Sequence, residues 1–380
     1  MDDALGASLA AQIRRLTDAA PVARAHACKQ LARLAARGDQ SRAAIREAGG
    51  VQGVLPLLHA APTQAEAAGA LAALAVDAEV RLLIREAGGC TPLVRALQSK
   101  SAAAQEEAAR ALGCLARDED GRIEVAELGG IVALVELVQL GDRDMQLAAA
   151  GALNQLALNA DNRIAIVAAD GHDVLIELLR GGETPAPAPL QAEAAGTLAS
   201  LAFYAPNKRK VREGGGLERL VGALSSKSPE VAIASAAALA RYTKYDAECQ
   251  ASASAAGAVR ALAALLWSED EATRQHARAA LENLNAHPET EKAAWAQAKA
   301  EMQTGQVAEA EKLRSDADER LLVGELDAAS QQYTEALVLH PRSAVLQRRL
   351  ARTERERVSA SSSIERLAAR ATSVRLTRRK

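Results

Sequence analysis

A doublet of small residues returns along the first three quarters of this 380-residue chain, and no other feature limits its fold so strongly. It stands at Gly49-Gly50, Gly88-Gly89, Gly129-Gly130, Asp170-Gly171, Gly215-Gly216 and Ala256-Gly257, at intervals of 39, 41, 41, 45 and 41 residues. Periods of this size mark stacked repeats. The long interval contains GGETPAPAP at residues 181–189. Its alternating prolines cannot continue a helix, so it reads as a loop insertion. A short amphipathic segment precedes each doublet (SRAAIREAGG, VRLLIREAGG, GRIEVAELGG, NRIAIVAADG). An apolar helix follows it (VQGVLPLL, CTPLVRAL, IVALVELV, HDVLIELL), then a further helix (EAAGALAALA, EEAARALGCLA, AAAGALNQLA, EAAGTLASLA). Each unit therefore reads as three helices, with a glycine that takes the left-handed conformation closing the first. Ile131, Leu134, Val135, Leu137 and Val138 leave almost no polar side on their helix, so a unit must bury its surface against its neighbours.

Composition points the same way. About a quarter of the residues are Ala and only 2% are aromatic, which favours close-packed helices over a sheet sandwich. An all-α chain is expected. No apolar run reaches the ~18 residues of a membrane-spanning helix, and the acidic start MDDALGASLAAQIRR does not read as a signal peptide. A cytoplasmic chain follows, with the nucleus also open to it. Cys28, Cys90, Cys114 and Cys249 form no paired spacing, so neither a disulfide framework nor a zinc site is expected. The formal charge of −2 hides an asymmetry: residues 342–380 carry +9 and the remainder −11.

The N-R-x-x-I-x-x-x-G-G segment, the I-x-x-L-V-x-L-L helix and the G-A-L-x-x-L-A helix together resemble the armadillo repeat. The resemblance runs from about Ala20 to His287, and residues 5–17 make an incomplete leading unit, so that residues 1–287 form the solenoid. It implies a right-handed superhelix whose third helices line a concave groove for partner proteins, often extended peptides. Members that hold basic targeting peptides place Asn at the fifth position of G-A-L-x-N-L-A and Trp four residues earlier. Here the fifth positions are Arg33, Ala73, Cys114, Gln155, Ser200, Arg241 and Asn283, and no Trp stands four residues before any of them. A receptor for basic peptides is therefore not expected. The groove is read instead as small residues flanked by Lys29, Arg33, Arg110 and Arg241, which favour an acidic or helical partner segment, with Gln155, Ser200 and Asn283 offering hydrogen bonds.

The pattern changes at His287-Pro288. Residues 310–341 resemble a tetratricopeptide repeat, with Ala317, Gly324, Ala329, Tyr333, Ala336 and Pro341 at that family's turn, interface and terminating positions. Residues 288–358 are read as a helical extension carrying this unit. Chaperone-binding members clamp a carboxylate with Lys and Asn, but Arg314 and Asp318 stand there, and the acid opposes such a clamp. Residues 359–380 begin with Ser359, Ser361, Ser362 and Ser363 and end in a basic segment. Arg366, Arg370, Arg375, Arg378, Arg379 and Lys380 make it either an anion-binding amphipathic helix or a solvated tail.

Catalytic chemistry is not legible. The six His residues show no metal-ligand spacing and no nucleophile, base and orienting group converge, so no enzyme, metal, cofactor or small-molecule substrate is expected. Cys90 opens a helix whose dipole lowers a thiol pKa, although a buried filler is the plainer reading. Lys208, Arg209, Lys210 and Arg212 form one dense basic cluster, read either as a nuclear-localisation signal or as a solvated short helix. The expectation is an interaction scaffold that binds a protein along its groove. The alternative is an adaptor tethered to an anionic membrane or nucleic acid through its basic tail.

Overall fold

The computed structural model describes residues 3–180, 185–266, 268, 270–284, 309, 312–317, 320, 326–339, 347 and 349–354. The chain divides into two compact units, Met1–Lys292 and Ala293–Lys380. Among the described residues every regular element is a helix, and none is long and apolar enough to cross a membrane.

The first unit opens with a helix pair, α1 (Asp3–Arg15) and α2 (Pro21–Ala35). Six three-helix repeats follow. The first comprises α3 (Asp39–Glu47), α4 (Gly50–Val54, continued by a 3-10 turn Leu55–His59) and α5 (Gln64–Leu74). The second comprises α6 (Ala78–Glu86), α7 (Cys90–Ala96) and α8 (Ala102–Leu115); the third comprises α9 (Glu119–Glu127), α10 (Gly130–Leu140) and α11 (Arg143–Leu156). The fourth comprises α12 (Ala160–Ala168), α13 (Gly171–Leu178) and α14 (Ala188–Leu201); the fifth comprises α15 (Ala205–Glu213), α16 (Gly216–Ala223) and α17 (Pro229–Tyr242). The sixth comprises α18 (Ala247–Ala255), α19 (Ala258–Leu265) and α20 (Glu271–Leu284).

The doublet is the corner between first and second helices. Its leading residue is left-handed in every repeat, with φ between +70° and +85° at Gly49, Gly88, Gly129, Gly215 and Gly257 and +56° at Asp170. The second position has a different reason to be small: a Cβ on Gly50 would lie 2.8 Å from the Ile45 carbonyl oxygen. One correction follows. In the sixth repeat the left-handed residue is Gly257, so the doublet is Gly257-Ala258 and not Ala256-Gly257.

The third helices α2, α5, α8, α11, α14, α17 and α20 pack side by side in chain order. Ala at their contacts lets the backbones approach, and Leu31, Leu71, Leu112, Leu153, Leu198 and Leu239 are wholly buried beneath. The arginine of the N-R pattern stitches the stack. Arg81 donates to the Ala75 and Val76 carbonyls at 3.1 and 3.0 Å, covering the open end of α5, and forms a two-bond pair with Asp118 at 2.6 and 2.9 Å. Arg122 and Arg163 cover the ends of α8 and α11 in the same way.

Lys208 corrects the solvated-cluster reading. It is 9% exposed, and its Nζ donates to the Tyr242 and Lys244 carbonyls at 3.1 and 2.8 Å. Arg209 pairs with Glu213 and Arg212 with Glu248, while Lys210 is exposed. Cys90 is buried, and desolvation pushes its thiol up to about 12, against the expectation from the helix start.

In the second unit the helix Leu326–Leu339 and helical residues 312–317 share a small core. Ala317, Ala329, Tyr333 and Ala336 are fully buried there, with Leu313, Leu337 and Leu350 packed around them. Four residues singled out by the tetratricopeptide resemblance thus meet at one place. Gly324, Pro341 and Asp318 lie outside the described residues.

Candidate protein-binding face

The third helices combine small residues with charged ones along one repeated surface. Two adjoining depressions of about 300 and 480 Å³ cross α2, α5, α8 and α11 and share Gly69 and Glu107. The floor is small: Gly69, Ala73, Gly113, Gly151 and Ala152 leave the helix backbones close to the surface. An extended segment or a helix can therefore approach closely, and the packed helices fix the geometry before anything binds.

Two cations of this half, Lys29 and Arg110, are already matched. Lys29 Nζ lies 3.3 Å from Glu66, and Arg110 sits between Glu106 and Glu107. Arg33 is exposed at the first depression, and Gln155 is half-buried at the second. Sequence reasoning missed the acids. Glu66, Glu107 and Glu193 stand three residues before the first groove position of their helices, where the E-A-A-G spelling of two repeats was the available signal. Glu107 lies over Gly69, at 3.2 Å from where a Cβ would be. Burial raises its carboxyl above the usual range, and Arg110 works against that rise. Asn154 donates to Glu193 at 2.8 Å, so that acid is held as well.

Two expected hydrogen-bonding residues are not available. Ser200 is 5% exposed, because α17 packs over α14 here and Tyr242 Oη donates to the Leu198 carbonyl at 2.9 Å. Asn283 spends its amide on the Ala240 carbonyl at 2.8 Å, joining α20 to α17. The expectation of four cations awaiting an acidic partner is likewise corrected for Lys29 and Arg110.

Arg241 is different. Its guanidinium lies 4.7 Å from the centroid of Phe203, which is 63% exposed, and Arg163 lies 5.5 Å from the same centroid. Burial alone lowers the Arg241 pKa, with no acid acting in the opposite direction. Tyr204 and Tyr245 are exposed nearby in sequence, in the turns that follow α14 and α17.

Asp170, His172 and Asp173 bring potential metal-ligand atoms within 4.8 Å of one another, a spacing the sequence reading passed over. They open α13, where the helix dipole favours the acids themselves and opposes a cation. Arg366, Arg370, Arg375, Arg378, Arg379 and Lys380 lie outside the described residues.

A family model, the Armadillo/beta-catenin-like repeat, matches residues 77–117, which is the second repeat of the stack. An engineered protein of known crystal structure aligns with 92% of this chain and 88% of its own at 29% identity and a TM-score of 0.71. The chain is an armadillo-repeat protein. A second engineered protein is 34% identical over 62% of this chain and 97% of its own, with a TM-score of 0.59. A designed armadillo repeat protein solved in complex with the peptide (KR)4 is 22% identical, covers 73% of this chain and 99% of its own, and has a TM-score of 0.54. That likeness bears on the armadillo fold alone. No curated protein matches this chain.

Proposed function

We propose that this armadillo-repeat protein is a non-enzymatic scaffold that binds a segment of a partner protein along its third-helix face. The observation that carries the reading is the small-residue floor over α2, α5, α8 and α11, rimmed by fixed charges. Rigid helices lose little conformational entropy when a ligand is bound, so modest contacts over several repeats sum to useful affinity. The designed armadillo relative with its bound peptide supports a peptide as the kind of ligand. The second unit, with its small core around Tyr333, is assigned a docking or bracing role.

Gly151→Trp tests the reading. A Cβ at Gly151 meets only the Glu193 carboxylate at 3.8 and 3.9 Å, so the fold accepts a side chain that then fills the floor. Partners captured by the intact chain and identified by mass spectrometry are expected to be lost by this variant, at both 50 and 300 mM salt. Unchanged capture by Gly151→Trp, or capture that vanishes with salt alone, would assign binding to the basic tail instead.

A further inference from the structure

The arginine stitch does not keep its cross-repeat ion pair along the stack. Arg81 covers the end of α5 and pairs with Asp118, the residue that caps the first helix of the next repeat. Asn159 stands at the cap of α12, and Arg122 pairs with Glu119 of its own helix. At the next cap in the same register, that of α15, stands Tyr204, which has no carboxylate to offer Arg163. Arg163 keeps its carbonyl contacts, Ala157 at 3.2 Å and Leu158 at 3.1 Å, but its Nε is buried without a partner. Arg241 reaches the same ring from α17, and among the described residues no acid pairs with either guanidinium. His276 on α20 is disfavoured as a cation by burial first and then by Arg241, with Asp270 acting the other way. Two cations thus converge on one exposed phenylalanine with no paired acid among the described residues, whereas the groove cations Lys29 and Arg110 are matched.

We infer that Arg163, Arg241 and Phe203 form an anchor for the carboxylate of an Asp or Glu side chain on an extended partner segment. The inference rests on the third-helix face being the binding surface. A planar guanidinium binds a carboxylate through two parallel hydrogen bonds, and the apolar ring beside it excludes water that would weaken them. Exposed aromatics next to arginines are the residue types that dominate binding energy at protein interfaces. A polyanion such as a nucleic acid is disfavoured, because residues 1–341 carry a net −11.

The test uses the full chain, 15N-labelled, and the acetylated, amidated peptide Gly-Ser-Glu-Leu-Glu-Ser-Gly. Its Gln counterpart and a version with phosphoserine in place of Glu serve as further arms. The Glu peptide is expected to shift the Arg163 and Arg241 Nε–H signals saturably, and the Gln peptide to bind at least about tenfold more weakly, the loss of one charge-assisted contact. Arg241→Gln is expected to give the same tenfold loss, Arg241→Lys a smaller one, and Arg110→Gln less than about twofold. Equal affinity for Glu and Gln peptides, no effect of Arg241→Gln, or binding of the phosphoserine peptide alone would overturn the inference. If the Glu peptide then shifts amides of α5 and α8 instead, the scaffold reading survives. If all shifts fall outside the third helices, both fail.

Discussion

The two halves of the third-helix face handle charge in opposite ways. Over α2, α5 and α8, Lys29 and Arg110 each have an acid of the same face against them, and the glycines keep the floor open. Over α14 and α17, Ser200 is covered, the floor gives way to Phe203, and Arg241 stands without a carboxylate. On the proposed function, one armadillo stack carries a shape-reading half and a charge-reading half, because a change of residue at a repeat position alters one site and leaves the scaffold intact.

The largest test concerns the stitch itself. Arg81→Ala removes a two-bond ion pair and two carbonyl contacts from a buried site, and is expected to cost about 3 kcal/mol of stability by denaturant melting. Lys208→Met, which loses two carbonyl contacts and no ion pair, is expected to cost about half of that. Equal losses would remove the distinction between the ion-paired stitch at Arg81 and the carbonyl-only stitch at Lys208.

The charge contrast can be inverted. Changing Glu106 and Glu107 together to Gln leaves Arg110 unmatched, and the Glu peptide described above is expected to gain a second site at α8 within about threefold of the first by titration. The Glu107 carboxyl is raised by burial, so its ionisation opposes folding: its contribution is most favourable at low pH and is lost as pH rises through the folded value. Thermal melts of Glu107→Gln and the parent are therefore expected to converge as pH falls from 7 to 4.

Two smaller effects sharpen the picture. A methyl group at Gly222 in α16 meets nothing within 4 Å, so Gly222→Ala is expected to stabilise the chain by about 0.5–1 kcal/mol and leave peptide affinity unchanged. His276 is held below the ordinary imidazole range by burial first and then by Arg241, so it is neutral at pH 7. Protonating it adds a cation beside the proposed anchor, and Glu-peptide affinity is expected to rise about twofold between pH 7 and 5.5, but not in His276→Asn. The sign for folding is the reverse: a depressed imidazole stabilises above its unfolded value, and that contribution is lost as pH falls through the folded one.

Much of this was legible in the sequence, for identifiable reasons. The doublet spacing announced three-helix repeats because a left-handed corner tolerates so few residues, and it went astray only where Ala258 replaced the second glycine. The groove rows followed from the armadillo resemblance, through the fifth position of its third-helix motif, and Arg241 was found that way. Ser200 was not, since its exposure depends on how tightly α17 covers α14, a property of two helices and not of one. Glu106 and Glu107 stand on the helix of Arg110, at a spacing the sequence already showed, whereas Glu66 was hidden because Lys29 reads as available until its neighbour on the next helix is known. Lys208 looked like a solvated cluster member for the same reason: its carbonyl partners stand 34 and 36 residues away.

Hydrogen exchange of the full chain with and without the Glu peptide tests the central claim most directly. The account predicts added protection at the end of α14, through α17 and into the turn after it, with α5 and α8 unchanged. Protection centred on α5 and α8, or on segments outside the third helices, would contradict it.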